Sequence, residues 1–251
     1  MKRTILKNCI VWAAALAFLA LVWMVAYFVV GNELIVPSFS HCLVRLGELL
    51  TSVAFWTAFF ATLLRVLLAF GISLILAVVL AVVSYLLPTF RVFFAPIVSV
   101  LRSLPTLAVL LILLVWTGAN GAPVVVAFLS LFPMLYAGFF AALSGVDERL
   151  LEMSRIYNVP LKKRILQLFL PAIAPQALQE AGAAISFSLK LVVSAEVLAT
   201  TWKSLGGMLQ EAKAYLDMPL LFALVCVTFL TGLTLELCLA AVARSVERRV
   251  K

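Results

Sequence analysis

Among the ionisable residues inside long apolar runs, Arg65, Arg102, Lys190 and Glu196 stand out. Glu236 is a fifth, toward the inner end of the last run. Charge is costly in lipid, so such residues face a bundle interior or a water-filled cavity. Two roles are open to them. The cations can line a path and draw an anionic solute along it. Alternatively, the charges pair with one another or with backbone carbonyls and only brace helices; Arg65, nearer a span end, can also snorkel to the interface. Lys190 and Glu196 are six residues apart, about 240° around a helix, so they can meet only through a neighbouring helix or a second copy of the chain.

Other chemistries lack their residues. No G-x-x-x-x-G-K-[ST] loop is present to cradle phosphates, so ATP is not held here in that manner and energy has to come from another polypeptide. No H-E-x-x-H, no G-x-S-x-G and no paired intramembrane aspartates point to an enzyme. His41 has no carboxylate or cysteine cluster beside it, and Cys9, Cys42, Cys226 and Cys238 lie far apart without a C-x-x-C pair. Neither a metal site nor a disulfide framework is expected.

The elements that must position the five charges are greasy helices. Of 251 residues, 65% are hydrophobic and only 12% charged, about half the share of a soluble domain. The mean hydropathy is +1.20. This is the composition of an all-α polytopic membrane protein. Lysine and arginine number 19 against 11 acidic residues. The basic residues cluster at span ends, so they set topology and do not imply nucleic acid.

A charge-free run from Ile10 to Val30 follows Lys2, Arg3 and Lys7 and is too long for the core of a signal peptide, so it is expected to stay as the first span. Gly31 to Leu50 is polar enough to lie outside, with Ser38-Phe39-Ser40 capping a short interfacial helix. From Leu49 to Leu87 only Arg65 is charged. That stretch is either one long helix with an interfacial start or two pieces bending near Gly71, with the span proper at about Trp56 to Tyr85. A third span is expected from about Val92 to Thr117 with Pro105 near its middle. A turn at Gly118-Ala119-Asn120-Gly121 follows, and a fourth span from Pro123 to about Ser144. Fifth and sixth spans are expected at about Ala172 to Thr200 and Leu220 to Ala243, with Thr201 to Pro219 outside. Arg91, Arg149, Arg155, Lys162, Lys163, Arg164, Arg244, Arg248, Arg249 and Lys251 then join the basic N-terminus on one side, against Arg45, Lys203 and Lys213 on the other. Both termini are therefore expected in the cytoplasm, and the even number of spans that fits the lengths is six.

Between the fourth and fifth spans lies Glu152 to Pro171, EMSRIYNVPLKKRILQLFLP. It predicts a short helix, a corner at Asn158, and a second helix after Pro160, because asparagine tolerates the left-handed conformation and proline suits a first helical turn. Read from shape alone, it is either a cytoplasmic loop whose charges fix topology or a docking element for a soluble partner. The stretch resembles the EAA motif of ATP-binding-cassette (ABC) importer permeases, E-A-A-x3-G-x9-I-x-L-P. The spacing is kept, with Glu152 first, Met153 and Ser154 in place of the alanines, Asn158 in place of the glycine, Leu168 in place of the isoleucine, and Leu170-Pro171 closing the motif. Leu63-Leu64-Arg65-Val66, Leu101-Arg102-Ser103-Leu104-Pro105 and Ser194-Ala195-Glu196-Val197-Leu198 resemble stretches of the nitrate, sulfonate and taurine type of these permeases, and the layout matches from about Val36 to Arg249.

The resemblance implies one transmembrane domain over residues 1–251 with a type I importer permease fold, and a cytoplasmic coupling loop at 147–171. Glu152, Met153, Ser154, Tyr157, Asn158, Leu170 and Pro171 would engage an ABC ATPase subunit, which binds ATP and Mg; this chain would carry no cofactor. The other implied partners are membrane lipid, a second copy of the chain and an extracytoplasmic binding protein in a bacterial inner membrane. The solute would be small, anionic or polar, of the nitrate, sulfonate or taurine kind or a vitamin precursor. The competing reading is a secondary transporter or channel that needs no ATPase; it would be expected to show inverted halves with matching broken helices, and no such repeat is visible.

Overall fold

The computed structural model describes residues 17–18 and 20–250. Residues 10–16 and 19 of the expected first span lie outside the described residues; its C-terminal part is α1, Ala20–Val30. Trp23 anchors it, donating from Nε1 to the Pro37 carbonyl at 3.1 Å and packing on Phe39 and Phe222.

Helix α2, Phe39–Thr51, starts where Ser38 accepts a hydrogen bond from the His41 backbone N–H, as the capping serine predicted. Ser52 then ends α2 and caps α3, Val53–Leu86. Helix α3 runs unbroken through Gly71, which decides between the two expectations for this stretch. Its buried face carries Ala58, Thr62, Val66, Ala69, Ser73, Ala77, Ala81 and Ser84, a stripe of small residues three or four apart that lets neighbouring backbones approach closely.

The third span is not one helix. Helix α4, Pro88–Ser103, stops at Leu104, and α5, Thr106–Ser144, begins after Pro105. Proline bars the helical conformation from the residue before it, and Leu104 is extended at ψ 127°. Within α5, Gly118 sits at φ 70° and ψ 176°, where a side chain would be strained, and breaks the helix into two arms. The arms fold back on one another: Leu110 and Leu113 share a buried cluster with Ala122 and Val126. On the other side of the Pro105 break, Phe94 packs on Phe132 and Tyr136.

After α6, Glu148–Ile156, and the single turn α7, Leu161–Arg164, a π-helical turn over Ile165–Phe169 leads into α8, Leu170–Ala199. The wide turn fits the sequence, since Pro171 has no N–H to give and its ring crowds the preceding turn. Helix α9, Leu205–Ala214, and α10, Met218–Val250, complete the described chain.

Among the described residues, four helices are long and apolar enough to cross a membrane: Val53–Leu86, Thr106–Ser144, Lys162–Ala199 and Met218–Ala243. Their relative directions follow from side-chain pairs. Along α3 and the second arm of α5, Arg65 meets Asn120, Ser73 meets the Phe128 carbonyl and Tyr136 donates to Ser84, so the two run parallel. Thr62 meets Glu196, Ser188 donates to the Val66 carbonyl and Tyr85 packs on Phe169, so α8 runs the opposite way. One end of the bundle therefore gathers Ser52, Gly118 and α9, and the other gathers Leu87-Pro88 and α6. The core between them is built from Ala69, Ala77 and Ala81 on α3, Leu131 and Leu135 on α5, and Ala184, Ile185 and Leu189 on α8. Large side chains such as Val53, Val79, Val115 and Phe229 stay exposed, as a lipid-facing surface requires.

Candidate functional sites at the two ends of the bundle

The α6 corner follows from its caps. Asp147 begins α6 by accepting from the Arg149 N–H at 2.9 Å, and Glu148 places a carboxylate in the first turn. At the far end Asn158 adopts φ 48°, and the Val159 N–H reaches back to the Ser154 carbonyl at 3.0 Å. That bond spans five residues across a left-handed residue, the Schellman arrangement that asparagine and glycine allow. Pro160 then opens the next turn, whose Arg164 N–H donates to its carbonyl.

The corner sorts its side chains. Ser154 turns inward at 6% exposure and donates to the Leu151 carbonyl. Leu150, Met153, Ile156 and Tyr157 turn out, the last two at 75% exposure. They recur at helical spacing, so the short helix presents an apolar ridge away from the bundle. Glu152 is exposed beside it and lines a cleft of about 350 Å³ with Tyr85, Arg91, Phe140 and Glu148. The Arg91 guanidinium lies over the Phe140 ring, 4.5 Å from its centre. Leu170 is half-exposed and Pro171 partly buried where the fifth span begins. Arg164 Nε is sealed from solvent without an acceptor among the described residues.

The other end holds a buried polar bracket. Glu196 has no exposure at all. Its carboxylate accepts from Arg65 Nη1 at 2.9 Å, from the Thr62 hydroxyl at 2.9 to 3.0 Å, and from the Gly206 N–H at 3.1 Å. Thr62 Oγ1 in turn accepts from the Leu205 N–H, and Arg65 Nη2 donates to Asn120 Oδ1. Helices α3 and α8, the Gly118 turn and the first turn of α9 are thus tied at one point. Gly206 is required there, because a Cβ would overlap Glu196 and lie 2.6 Å from the Val197 nitrogen. Thr201 adds a bond to the Ala119 carbonyl at 2.8 Å.

The four residues singled out for a path therefore separate. Arg65 and Glu196 pair with each other inside the bracket. Lys190 faces outward from the chain in a cleft between α8 and α10, and Arg102 is exposed in the last turn of α4. The different faces expected for Lys190 and Glu196 are the ones they occupy. Thr62, Asn120 and Gly206 were not singled out as site residues from the sequence. Thr62 stands three residues before Arg65 on the same helical face, and Gly206-Gly207 lie two and three residues after the capping Ser204; both were visible signals.

Residues 73–251 match the family model for the binding-protein-dependent transport system inner membrane component. The taurine transport system permease protein TauC of Escherichia coli K12 is 24% identical over 228 residues, covering 88% of this chain and 82% of that one. A Brucella melitensis protein described as a probable ABC transporter permease is 28% identical over 189 residues, 74% of this chain and 75% of its own. Among solved structures, a chain of the MetNI methionine ABC transporter in inward-facing conformations superposes with a TM-score of 0.64 at 14% identity, covering 74% of this chain and 93% of that one. A chain of an amino acid ABC transporter with histidines gives 0.60 at 17% identity, covering 78% and 94%. At these identities the two structures speak for the fold alone, and they place it with type I importer permeases.

Proposed function

The chain belongs to the family of binding-protein-dependent transport system inner membrane components, and from that premise we propose how its two ends divide the work of an ABC importer. As the multi-pass permease subunit, it forms the translocation path and leaves ATP and Mg to a separate ATPase. Two copies surround a central path. An ATPase subunit docks on each Glu152 to Pro171 element from the cytoplasm, where both chain termini also lie. An extracytoplasmic binding protein delivers solute at the α2 and α9 end. The solute is a small anionic or polar organic molecule of the sulfonate or taurine kind, in line with the relative that carries taurine in its name.

The observation that carries this reading is the ridge of Leu150, Met153, Ile156 and Tyr157 standing out from a capped corner at the basic end of the bundle. In water such a ridge asks for an apolar groove on a soluble partner. Glu152 adds a charge at its edge, and Ser154 fixes the height of the helix by packing inward. Lys190 and Arg102 remain free to face solute, whereas Arg65 and Glu196 brace the helices that frame the path. The test is co-purification of an ATPase subunit with the full-length chain, and binding-protein-stimulated ATP hydrolysis by the complex. Glu152→Arg, or a bulky residue at Ser154, should abolish stimulated hydrolysis and uptake while the chain still inserts. Retained ATP-driven uptake by these variants would overturn the docking assignment.

A further inference from the structure

A polar seam crosses the otherwise apolar outer face of α8. Gln176, Gln179, Ser186, Lys190 and Ser194 recur on one side of the helix at intervals compatible with a single face. Helix α10 lies against it with Thr228, Gly232 and Glu236. Two clefts follow this seam. The one nearer the inner end, about 720 Å³, is lined by Gln176, Gln179, Gly182, Ala183 and Glu236. The one nearer the outer end, about 350 Å³, is lined by Ser186, Lys190, Ser194, Thr228, Gly232 and again Glu236. Glu236 thus stands where the two meet. The Ser186 hydroxyl lies 3.1 Å from both Glu236 Oε2 and the Gly232 carbonyl and can serve one of them at a time. Lys190 is one helical turn further out on α8, about 6 Å along its axis. Among the described residues no salt bridge joins Lys190 or Glu236 to a partner. Phe229 and Leu237 on the same helix as Glu236 are exposed and apolar. Two charges on a lipid-facing surface are disfavoured, so this seam faces water or solute.

We propose that the seam is a solute station on the translocation route, and that Lys190 and Glu236 together select a small zwitterion, with an anionic group and an ammonium, over a bare anion. This rests on the permease reading above. Lys190 receives the anionic group, and Glu236, held by Ser186, receives the ammonium about one helical turn below it. A bare anion gains the first contact but meets the carboxylate at close range, and like charges brought together in a partly dry site reject a ligand. The hydroxyls of Ser194 and Thr228 supply further donors beside Lys190.

The experiment uses the full-length chain in lipid nanodiscs, alone and with its ATPase. Ser194→Cys is introduced in a background lacking the other cysteines, and its reaction with a water-soluble thiol reagent is timed. The probes are 2-aminoethanesulfonate and ethanesulfonate at matched millimolar concentration, which differ only in the ammonium. The zwitterion should slow labelling about tenfold more than the anion, the factor expected for one added ion pair of about 1.4 kcal/mol. Glu236→Gln should erase the difference by letting the anion protect as well, and Lys190→Gln should remove protection by both. Size-exclusion profiles identify any variant that fails to fold, and Ser186→Ala, which frees Glu236, should weaken zwitterion protection alone. Failure of Ser194→Cys to react, equal protection by the two probes, or a silent Glu236→Gln overturns the proposal. If instead no ATPase co-purifies but the labelling pattern holds, the permease reading fails and the station stands.

Discussion

Removing Arg65 should reveal how much of the bracket around Glu196 depends on charge. In Arg65→Met, Glu196 keeps the Thr62 hydroxyl and the Gly206 N–H but loses the only cation within 4 Å of it among the described residues. Because Glu196 has no exposure, water cannot take the place of that cation. Breaking a buried pair from one side costs about 3–5 kcal/mol. At about 2–4 °C per kcal/mol for a chain of this size, the midpoint should fall by roughly 6–20 °C. The assay is thermal unfolding of the purified permease, followed by reaction of Cys42 with a thiol-sensitive dye after the remaining cysteines are changed to serine. Cys42, on α2, is 6% exposed and free, so it reports when the α2 and α9 end of the bundle opens. Adding Glu196→Gln to Arg65→Met turns the stranded carboxylate into a neutral amide and should restore at least half of the loss. A midpoint lowered by less than about 2 °C, within the range of an ordinary surface change, would show that the ion pair does not hold the bracket together. A double variant no better than Arg65→Met alone would show that the loss is one of packing.

Asn158→Gly should leave the α6 corner intact, whereas Asn158→Val, a branched residue at φ 48°, should strain it by about 1–2 kcal/mol. Trypsin cleavage after Lys162 or Lys163 should then run roughly 5–30-fold faster in the valine variant. The Cys42 thiol is pushed up to about 11, first by burial and second by the neighbouring Cys226. Its thiolate fraction near pH 8 is therefore about a thousandth, and maleimide labelling of native protein should be about two orders of magnitude slower than for a free thiol. Labelling should rise about tenfold per pH unit up to that value; a plateau below pH 9 would contradict the burial of Cys42.

The sequence made the long helices legible because their apolar runs have no competing interpretation. The Ser38 cap, the Gly118 turn and the Asn158 corner were legible for a different reason: each is a residue type whose backbone preference acts locally. The third span was misjudged as continuous. Pro105 is a local signal too, but proline inside membrane helices can be tolerated, and only the extended Leu104 shows that here the helix stops. The bracket was illegible as a unit, since Thr62, Arg65, Asn120, Glu196 and Gly206 come from four elements and nothing in the order of residues brings them together. Its acid and base stood out only as charges in apolar surroundings, which left both pairing and path-lining open. At the inner end, spacing identified the corner, but the outward turn of Met153 and Tyr157 and the inward turn of Ser154 needed the helix to be placed against the bundle.

The π-helical turn has a mechanical consequence. Because it bridges α7 and α8 without a loop, the stretch Lys162–Ala199 is one continuous helical run of 38 residues, about 57 Å long at the usual helical rise. One extremity adjoins the Asn158 corner and the other carries Glu196, clasped to α3 and α9. With no loop between its two extremities, a displacement at the Asn158 corner that the helix transmits reaches the clasp at Glu196, where the far tip swings or the clasp yields. In the permease proposed above this helix would work as an oar in its rowlock, with the small-residue stripe of α3, which meets it at Val66 and Ser188, as the surface it turns on.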